Sequence, residues 1–259
     1  MLLAIDVGNT LLHGAIFYEN TLKIKFSRSS RQGSSPDELG LFLKQILIEN
    51  AIEAGQIKDI SICSVVPELT QSLNVCCPKY FQVRPFILHH QATIGITIHY
   101  RIPAELGTDR IANAIAASKL YPNENLIIID FGTATTFCVL SSTKVFLGGA
   151  IIPGVRTALE SLFAKTSKLP LVDVMVPELS VGQSSVENIQ SGLFYGCVGA
   201  VRELTARLAR EAFPNDPRPF IIATGGCSHL FAETEIYDIE IPNLTLMGLE
   251  QAYQLNKKT

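Results

Sequence analysis

The chain has no tryptophan, and charged side chains occupy only 17% of its 259 positions. Without tryptophan, any ligand-linked change in intrinsic fluorescence has to come from the 7 tyrosines. The few charges nearly balance, 21 Lys+Arg against 24 Asp+Glu, giving a net charge of −3 and a pI near 6.0. A nucleic-acid surface needs a basic stripe, and none is present, so no nucleic-acid partner is expected. No apolar run approaches the roughly 18 residues of a membrane span, so no membrane partner is expected either. Residues 1–5 are apolar but meet Asp6 at once without a positive region, which does not read as a signal peptide. The six cysteines form no CxxC pair and lie in apolar stretches, as free thiols of a reducing compartment do. The chain therefore reads as cytoplasmic.

Several catalytic signatures are missing as well: GxxxxGK[ST], GxGxxG after a strand, HExxH and GxSxG. The five histidines lack a metal spacing, and His89-His90 would point to opposite sides of a strand. What the chain has is apolar substance: 47% hydrophobic residues, ample for a sizeable core and incompatible with disorder.

It also has an internal echo. Residues 2–10 read LLAIDVGNT and residues 126–134 read LIIIDFGTA, an apolar run followed by Asp-x-Gly and a polar residue. The offset, 130 − 6 = 124, is close to half the chain. A self-similarity that long suggests two related halves rather than a solenoid, whose period is about 20–50 residues. Each half opens as a β-meander, with strands over 11–17 and 22–26 in the first and 135–140 and 144–152 in the second. Turns are expected at Glu19-Asn20 and Ser141-Ser142. Further buried strands are expected over 60–65, 126–130 and 220–224.

Helices are expected over 36–50, 109–120 and 185–212. The first carries Pro36 after Ser35 with Glu38 completing a capping box. In the third, Gly192, Gly196 and Gly199 either break the helix or permit close packing. Strands alternating with helices give an α/β class.

Asp6-Val7-Gly8-Asn9-Thr10 ends an apolar strand. Gly8 allows a tight reversal whose N–H groups, with Asn9 and Thr10, can face a phosphate, while Asp6 suits Mg²⁺. A plain capped hairpin turn would look the same. Asp130-Phe131-Gly132-Thr133 repeats the arrangement. Its Asp-Phe-Gly also occurs in protein kinases, but their glycine-rich, Val-Ala-Ile-Lys and His-Arg-Asp segments are absent. Gly107-Thr108-Asp109-Arg110 precedes a helix, so Asp109 is either an N-terminal dipole partner or a carboxylate placed to accept a hydroxyl proton, with Arg110 beside it for an anionic group. Residues 148–154 look like a strand-to-helix turn, and Gly225-Gly226 like a close backbone approach near a nucleobase; both could simply end elements.

These motifs, in this order and spacing, resemble those of type III pantothenate kinases. The match continues through Gly182-x-x-Ser185, Ser191-Gly192-x-x-x-Gly196, Thr224-Gly225-Gly226 and Leu244-x-x-x-Gly248-Leu249, and it spans essentially the whole chain. The Asp-x-Gly element alone is generic to the actin, sugar-kinase and Hsp70 superfamily; Gly-Thr-Asp-Arg is far more specific.

The resemblance implies an α/β duplicated ribonuclease H-like two-domain fold, residues 1–116 and 117–259, with the active site in the interdomain cleft and the last helix able to pack back on the first domain. It implies ATP-dependent phosphorylation of the 4′-hydroxyl of pantothenate, the first step towards coenzyme A, by a homodimer needing Mg²⁺ and a monovalent cation, K⁺ or NH₄⁺. On this basis Asp109 is the general base. Asp6, Val7, Gly8, Asn9, Thr10, Leu11, Leu12, His13 and Thr133 hold ATP. Tyr100, Gly107, Thr108, Asp109, Arg110 and Ser185 hold pantothenate. Asp130 binds the monovalent cation, and Asp6 holds Mg²⁺ directly or through water. Ser185 stands where the family usually has Thr, and His13 where its pattern leads one to expect Asn or Lys. Competing readings are a related small-molecule kinase or phosphatase, a non-enzymatic regulator that binds nucleotide without turnover, and an actin-like filament former, for which 259 residues leave little room.

Overall fold

A computed structural model describes residues 1–30, 34–215 and 218–257. The chain divides into two compact units, Met1–Leu120 with Leu244–Thr259, and Tyr121–Asn243.

In the first unit β1 (Leu2–Val7), β2 (Leu11–Tyr18) and β3 (Thr21–Ser29) form an antiparallel meander. The β2–β3 turn is Glu19-Asn20, both at positive φ (49° and 62°), as a two-residue hairpin that follows the strand twist requires. β4 (Asp59–Ser64) then runs parallel to β1, and the two-residue β5 (Phe86–Ile87) parallel to β4, giving the order β3-β2-β1-β4-β5. A further two-residue strand, β6 (Thr97–Ile98), follows.

β1 is central and covered on both faces, so it reads as an unbroken apolar run, whereas edge strand β3 alternates between half-buried and exposed positions. α1 (Pro36–Glu49) and α2 (Pro67–Phe81) bury Leu39, Leu43, Leu47 and Leu73 with Leu3, Ile5, Val7 and Ile62 of the sheet. Each such side chain contributes about 1.5–3 kcal/mol on burial. α1 starts as expected: Glu38 N donates to Ser35 Oγ (3.2 Å) and Ser35 N to Glu38 Oε2 (2.7 Å). α2 has no side-chain N-cap bond and starts at Pro67; its Cys76 and Cys77 are both buried.

The second unit repeats the plan. β7 (Leu126–Phe131), β8 (Ala134–Leu140) and β9 (Val145–Pro153) form the meander, β10 (Phe220–Thr224) runs parallel to β7, and β11 (Ile239–Glu240) parallel to β10. Within this unit the order is β9-β8-β7-β10-β11, the same as in the first. α4 (Val155–Lys165) and α5 (Ser185–Ala212) separate the meander from β10. The core holds Ile127, Ile129, Phe137, Val198 and Val201, with Phe131, Phe194 and Phe231 stacked at 5.0 and 5.4 Å.

α3 (Thr108–Leu120) and α6 (Leu244–Asn256) both belong to the first unit and cross closely: a Cβ on Gly248 would lie 1.9 Å from the Ala112 carbonyl oxygen. Thr245 Oγ1 donates to Asn113 Oδ1 (2.8 Å), and Ser61 Oγ on β4 to the Leu249 carbonyl (3.0 Å).

Four local expectations are corrected. Gly192, Gly196 and Gly199 do not break α5, and a Cβ on any of them would meet nothing within 4 Å among the described residues of this chain. Residues 148–153 are strand, and only Gly154 is the strand-to-helix junction, as N-cap of α4. The second hairpin turn is longer than Ser141-Ser142: Lys144, at φ 62°, donates its N–H to the Ser141 carbonyl (2.8 Å). His89 and His90 follow β5 in a turn rather than lying on a strand. No helix among the described residues is long and apolar enough to cross a membrane.

Candidate active-site elements

The first unit gathers its chemistry at the carboxyl ends of β1 and β4. β1 delivers Asp6 to its tip, and Gly8 N donates to the Leu11 carbonyl (3.0 Å) to close the turn. Asn9 and Leu11 are exposed and Thr10 half-buried. Val7 and Leu12 are buried in the core (0% and 1% exposed), so towards a ligand they can offer only backbone groups. Across the ladder, Asp6 pairs with His13 on β2 and Cys63 on β4. The Cys63 thiol donates to Asp6 Oδ1 (3.2 Å). Burial, with the negative charges of Asp6 and Asp109, pushes the Cys63 thiol well above its ordinary range, which keeps its proton in place for that bond. His13, an exposed residue, moves the other way: partial desolvation and the Lys25 charge lower its pKa.

Asp109 is the second residue of α3, in the first turn, where helix N–H groups have no internal partner. Its carboxylate curls back: Oδ1 accepts from Arg110 N (2.8 Å), and a Cβ on Gly107 would lie only 2.4 Å from that same oxygen. Gly107 is therefore the residue that gives the carboxylate room. Burial raises the Asp109 pKa, and the Arg110 N–H and charge only partly offset it. Arg110 itself is 6% exposed. Thr108 Oγ1 accepts from Ser64 N (3.1 Å) and donates to the Ser64 carbonyl (3.2 Å), tying the start of α3 to the end of β4. Val65 N in turn donates to the Val7 carbonyl (3.0 Å). Tyr100 is half-buried, between β6 and the 3-10 turn Pro103–Glu105.

In the second unit Asp130 ends β7, and Gly132 N donates to the Ala134 carbonyl (3.2 Å). The Thr133 side chain is exposed, while its carbonyl accepts from Gly154 N (3.1 Å) and Thr157 Oγ1 (2.6 Å). Gly225 lies at φ +94°, and a Cβ there would meet Asp130 Oδ1 at 2.5 Å and Phe131 N at 2.6 Å. The close approach expected at Gly225 is thus an approach to Asp130. Ser228 Oγ braces that turn, 2.7 Å from the Gly225 carbonyl and 2.6 Å from Glu240 Oε1. Ser185 is exposed at the start of α5, whose N-cap Ser184 accepts from Glu187 N (3.2 Å). With Leu162, Leu169, Asn188, Ile189 and Leu193 it lines a cavity of about 430 Å³.

The donor sets suit the cations that the motifs imply. No group of three or more His, Cys, Asp or Glu able to hold a metal occurs among the described residues. Mg²⁺ usually takes one or two carboxylates together with substrate phosphates rather than a protein cage. The Asp6 turn offers hard oxygen donors of this kind. Asp130, packed against glycine backbone at Gly132 and Gly225, likewise gives a carboxylate next to peptide groups with no side chain in between.

The structure thus brings Asp6, Gly8, Asn9, Thr10, Leu11 and His13 into one turn, and Gly107, Thr108, Asp109 and Arg110 onto the β4 tip. Asp130 and Thr133 share the second unit's turn, and Ser185 stands apart from them on α5. Cys63, Ser64, Ser228 and Glu240 were not singled out from sequence for these contacts. The cross-strand alignment of β1 with the apolar segment over 60–65 is the only sequence signal that could have found Cys63.

A family model described as type III pantothenate kinase matches residues 2–207. A type III pantothenate kinase of Legionella pneumophila (strain Corby) is 47% identical over 256 residues, covering 99% of both chains. A solved structure from Campylobacter jejuni, assigned to the Baf family, has a TM-score of 0.62 at 18% identity and covers 98% of each chain. The activator of 2-hydroxyisocaproyl-CoA dehydratase from Clostridium difficile, solved with bound ADPNP, has a TM-score of 0.54 at 11% identity, over 98% of this chain and 94% of that one. These two likenesses are of fold alone, a duplicated ribonuclease H-like α/β fold.

Proposed function

The chain belongs to the type III pantothenate kinase family, and we propose that Asp109 is the general base with which it phosphorylates pantothenate. The reaction is ATP-dependent transfer to the 4′-hydroxyl, the first step of coenzyme A biosynthesis. Asp109 accepts the hydroxyl proton, the oxygen attacks the γ-phosphorus, and the bond to the β–γ bridging oxygen breaks to release ADP. Phosphoryl transfer through a loose transition state depends chiefly on positioning and charge neutralisation, so one modest base suffices. The observation that carries this reading is the Asp109 carboxylate itself, seated over Gly107 and raised in basicity by burial.

The remaining roles follow the elements. The Asp6–His13 turn holds the ATP phosphates through backbone N–H groups, Asn9, Thr10 and His13, and the exposed Thr133 side chain adds a phosphate contact. Tyr100, Arg110 and Ser185 hold pantothenate together with the backbone of Gly107 and Thr108, and Arg110 supplies positive charge for its carboxylate. Asp6 holds Mg²⁺, which neutralises phosphate charge when bound. Asp130 would hold the monovalent cation, K⁺ or NH₄⁺, which would supply positive charge to offset that of the phosphates.

The chain works as a homodimer in the cytoplasm. Supporting the first point, Leu171, Leu179 and Val181 of the second unit are 59%, 71% and 76% exposed, a concentration of apolar surface that water does not favour. Supporting the second, all six cysteines are free thiols.

The test is ADP release with ATP, Mg²⁺ and pantothenate, in K⁺ and then in Na⁺. Pantothenate-dependent turnover that needs K⁺ is the expected result. ATP binding without turnover in either salt would overturn the reading in favour of a nucleotide-binding regulator or another acceptor.

A further inference from the structure

The structure assigns Thr108 a positioning role: its hydroxyl clamps the first turn of α3 to the tip of β4, so that Asp109 is held in register with the Asp6 turn. This rests on the reading of Asp109 as general base and names a residue that controls where that base sits.

The argument starts from hydroxyl valence. A threonine hydroxyl has one hydrogen to give. Thr108 gives it to the Ser64 carbonyl (3.2 Å) while accepting from Ser64 N (3.1 Å), so both backbone groups of one residue close on one side chain. The hydroxyl is thereby occupied as a donor and cannot also donate to a substrate without opening the clamp.

The anchor it grips is a fixed point. Cys63, the residue before Ser64, is fully buried and pairs in register with Asp6. Its thiol donates to Asp6 Oδ1, and the next residue, Val65, donates its N–H to the Val7 carbonyl. Three consecutive residues of the β4 tip therefore hold the Asp6 strand on one side and the α3 start on the other. The side chains of Asp6 and Asp109 both act electrostatically on the same Cys63 thiol.

Between clamp and base there is almost no slack. Thr108 and Asp109 are adjacent, and the Asp109 carboxylate is confined by Arg110 N at 2.8 Å and by the space over Gly107. Releasing Thr108 would leave the first turn of α3 free to shift by a fraction of an ångström. Misplacement on the ångström scale costs a general base on the order of 100-fold in rate.

The experiment compares Thr108→Val, which keeps the shape and removes the hydroxyl, with Thr108→Ser, which keeps the hydroxyl. The full chain is assayed with saturating ATP, Mg²⁺, K⁺ and pantothenate, and Asp109→Asn and a thermal melt of each variant are run alongside. The expected result is a kcat loss of about tenfold or more in Thr108→Val, recovery to near wild type in Thr108→Ser, and a KM for ATP that stays within about twofold in both, because ATP binding belongs to another element. An unchanged kcat in Thr108→Val overturns the proposal, as does an equal loss in both variants, because a retained hydroxyl would then fail to hold the base in place. Wild-type turnover in Asp109→Asn would instead remove the general base, a failure distinguishable because it does not depend on either Thr108 variant.

Discussion

In the first unit the last registered pair of the opening hairpin is Val7 with Leu12, leaving Gly8, Asn9, Thr10 and Leu11 between them. In the second it is Phe131 with Thr135, leaving Gly132, Thr133 and Ala134. Both buried strands carry Asp as their penultimate residue, and both Asp residues face a parallel strand in matching register, Asp6 against Cys63 and Asp130 against Thr224. The scaffold has been copied and the surroundings have not. The shorter turn is backed by α4, whose Gly154 and Thr157 take up the Thr133 carbonyl, and its carboxylate is packed over Gly225. The longer turn leaves the Asn9 side chain exposed and lies in the unit that carries Asp109. A duplicated sheet can thus hold two carboxylates at equivalent strand ends in different surroundings, because the residues behind each turn differ.

The strongest way to break this comparison is at the base. Asp109→Asn is expected to lower kcat by about 10²–10⁴-fold while ATP still binds; near wild-type turnover would make Asp109 a helix N-terminal residue and nothing more. The pH profile of kcat gives the same carboxylate a sign. Because burial lifts the Asp109 pKa, its ionised form is lost at a higher pH than for an ordinary carboxylate, so kcat should fall on acidification before the ordinary carboxylate range is reached. An acid limb at or below that range would contradict the buried seat.

The two glycine seats should fail differently. At Gly225, positive φ and backbone neighbours at 2.6–2.7 Å mean that Gly225→Ala strains the chain itself, with an expected stability loss of about 1–3 kcal/mol in thermal melts. At Gly107 the obstacle is a side-chain oxygen, so Gly107→Ala should displace the Asp109 carboxylate, lower kcat by about tenfold or more and leave the melt nearly unchanged. If both substitutions act through stability alone, the seats are equivalent and the contrast is lost. The smallest effect probes what the halves share. Ser35→Ala and Ser184→Ala each remove an N-cap whose hydroxyl accepts from a Glu N–H three residues on, and each should cost about 1 kcal/mol.

The repeat was legible from sequence because the Asp-x-Gly echo is local and its strands are long, apolar runs. So were α1, α3 and α5, from a capping box, an alanine-rich stripe and a long periodic segment. What escaped was set by tertiary contact. Thr108 reaches Ser64 across 44 residues, and nothing in the local pattern at either position announces it. β5, β6 and β11 have two residues each, too short for any periodicity. The α5 glycines were open to reading as helix breakers, and the helix runs through them unbroken.

The proposed division of labour between Asp109 as base and Asp130 as cation ligand is tested most directly by titrating K⁺ against turnover in Asp109→Asn and Asp130→Ala side by side. The account predicts that Asp109→Asn keeps the wild-type K⁺ midpoint on a much reduced rate, while Asp130→Ala loses the response to K⁺. A K⁺ response unchanged in Asp130→Ala, or displaced in Asp109→Asn, would contradict it.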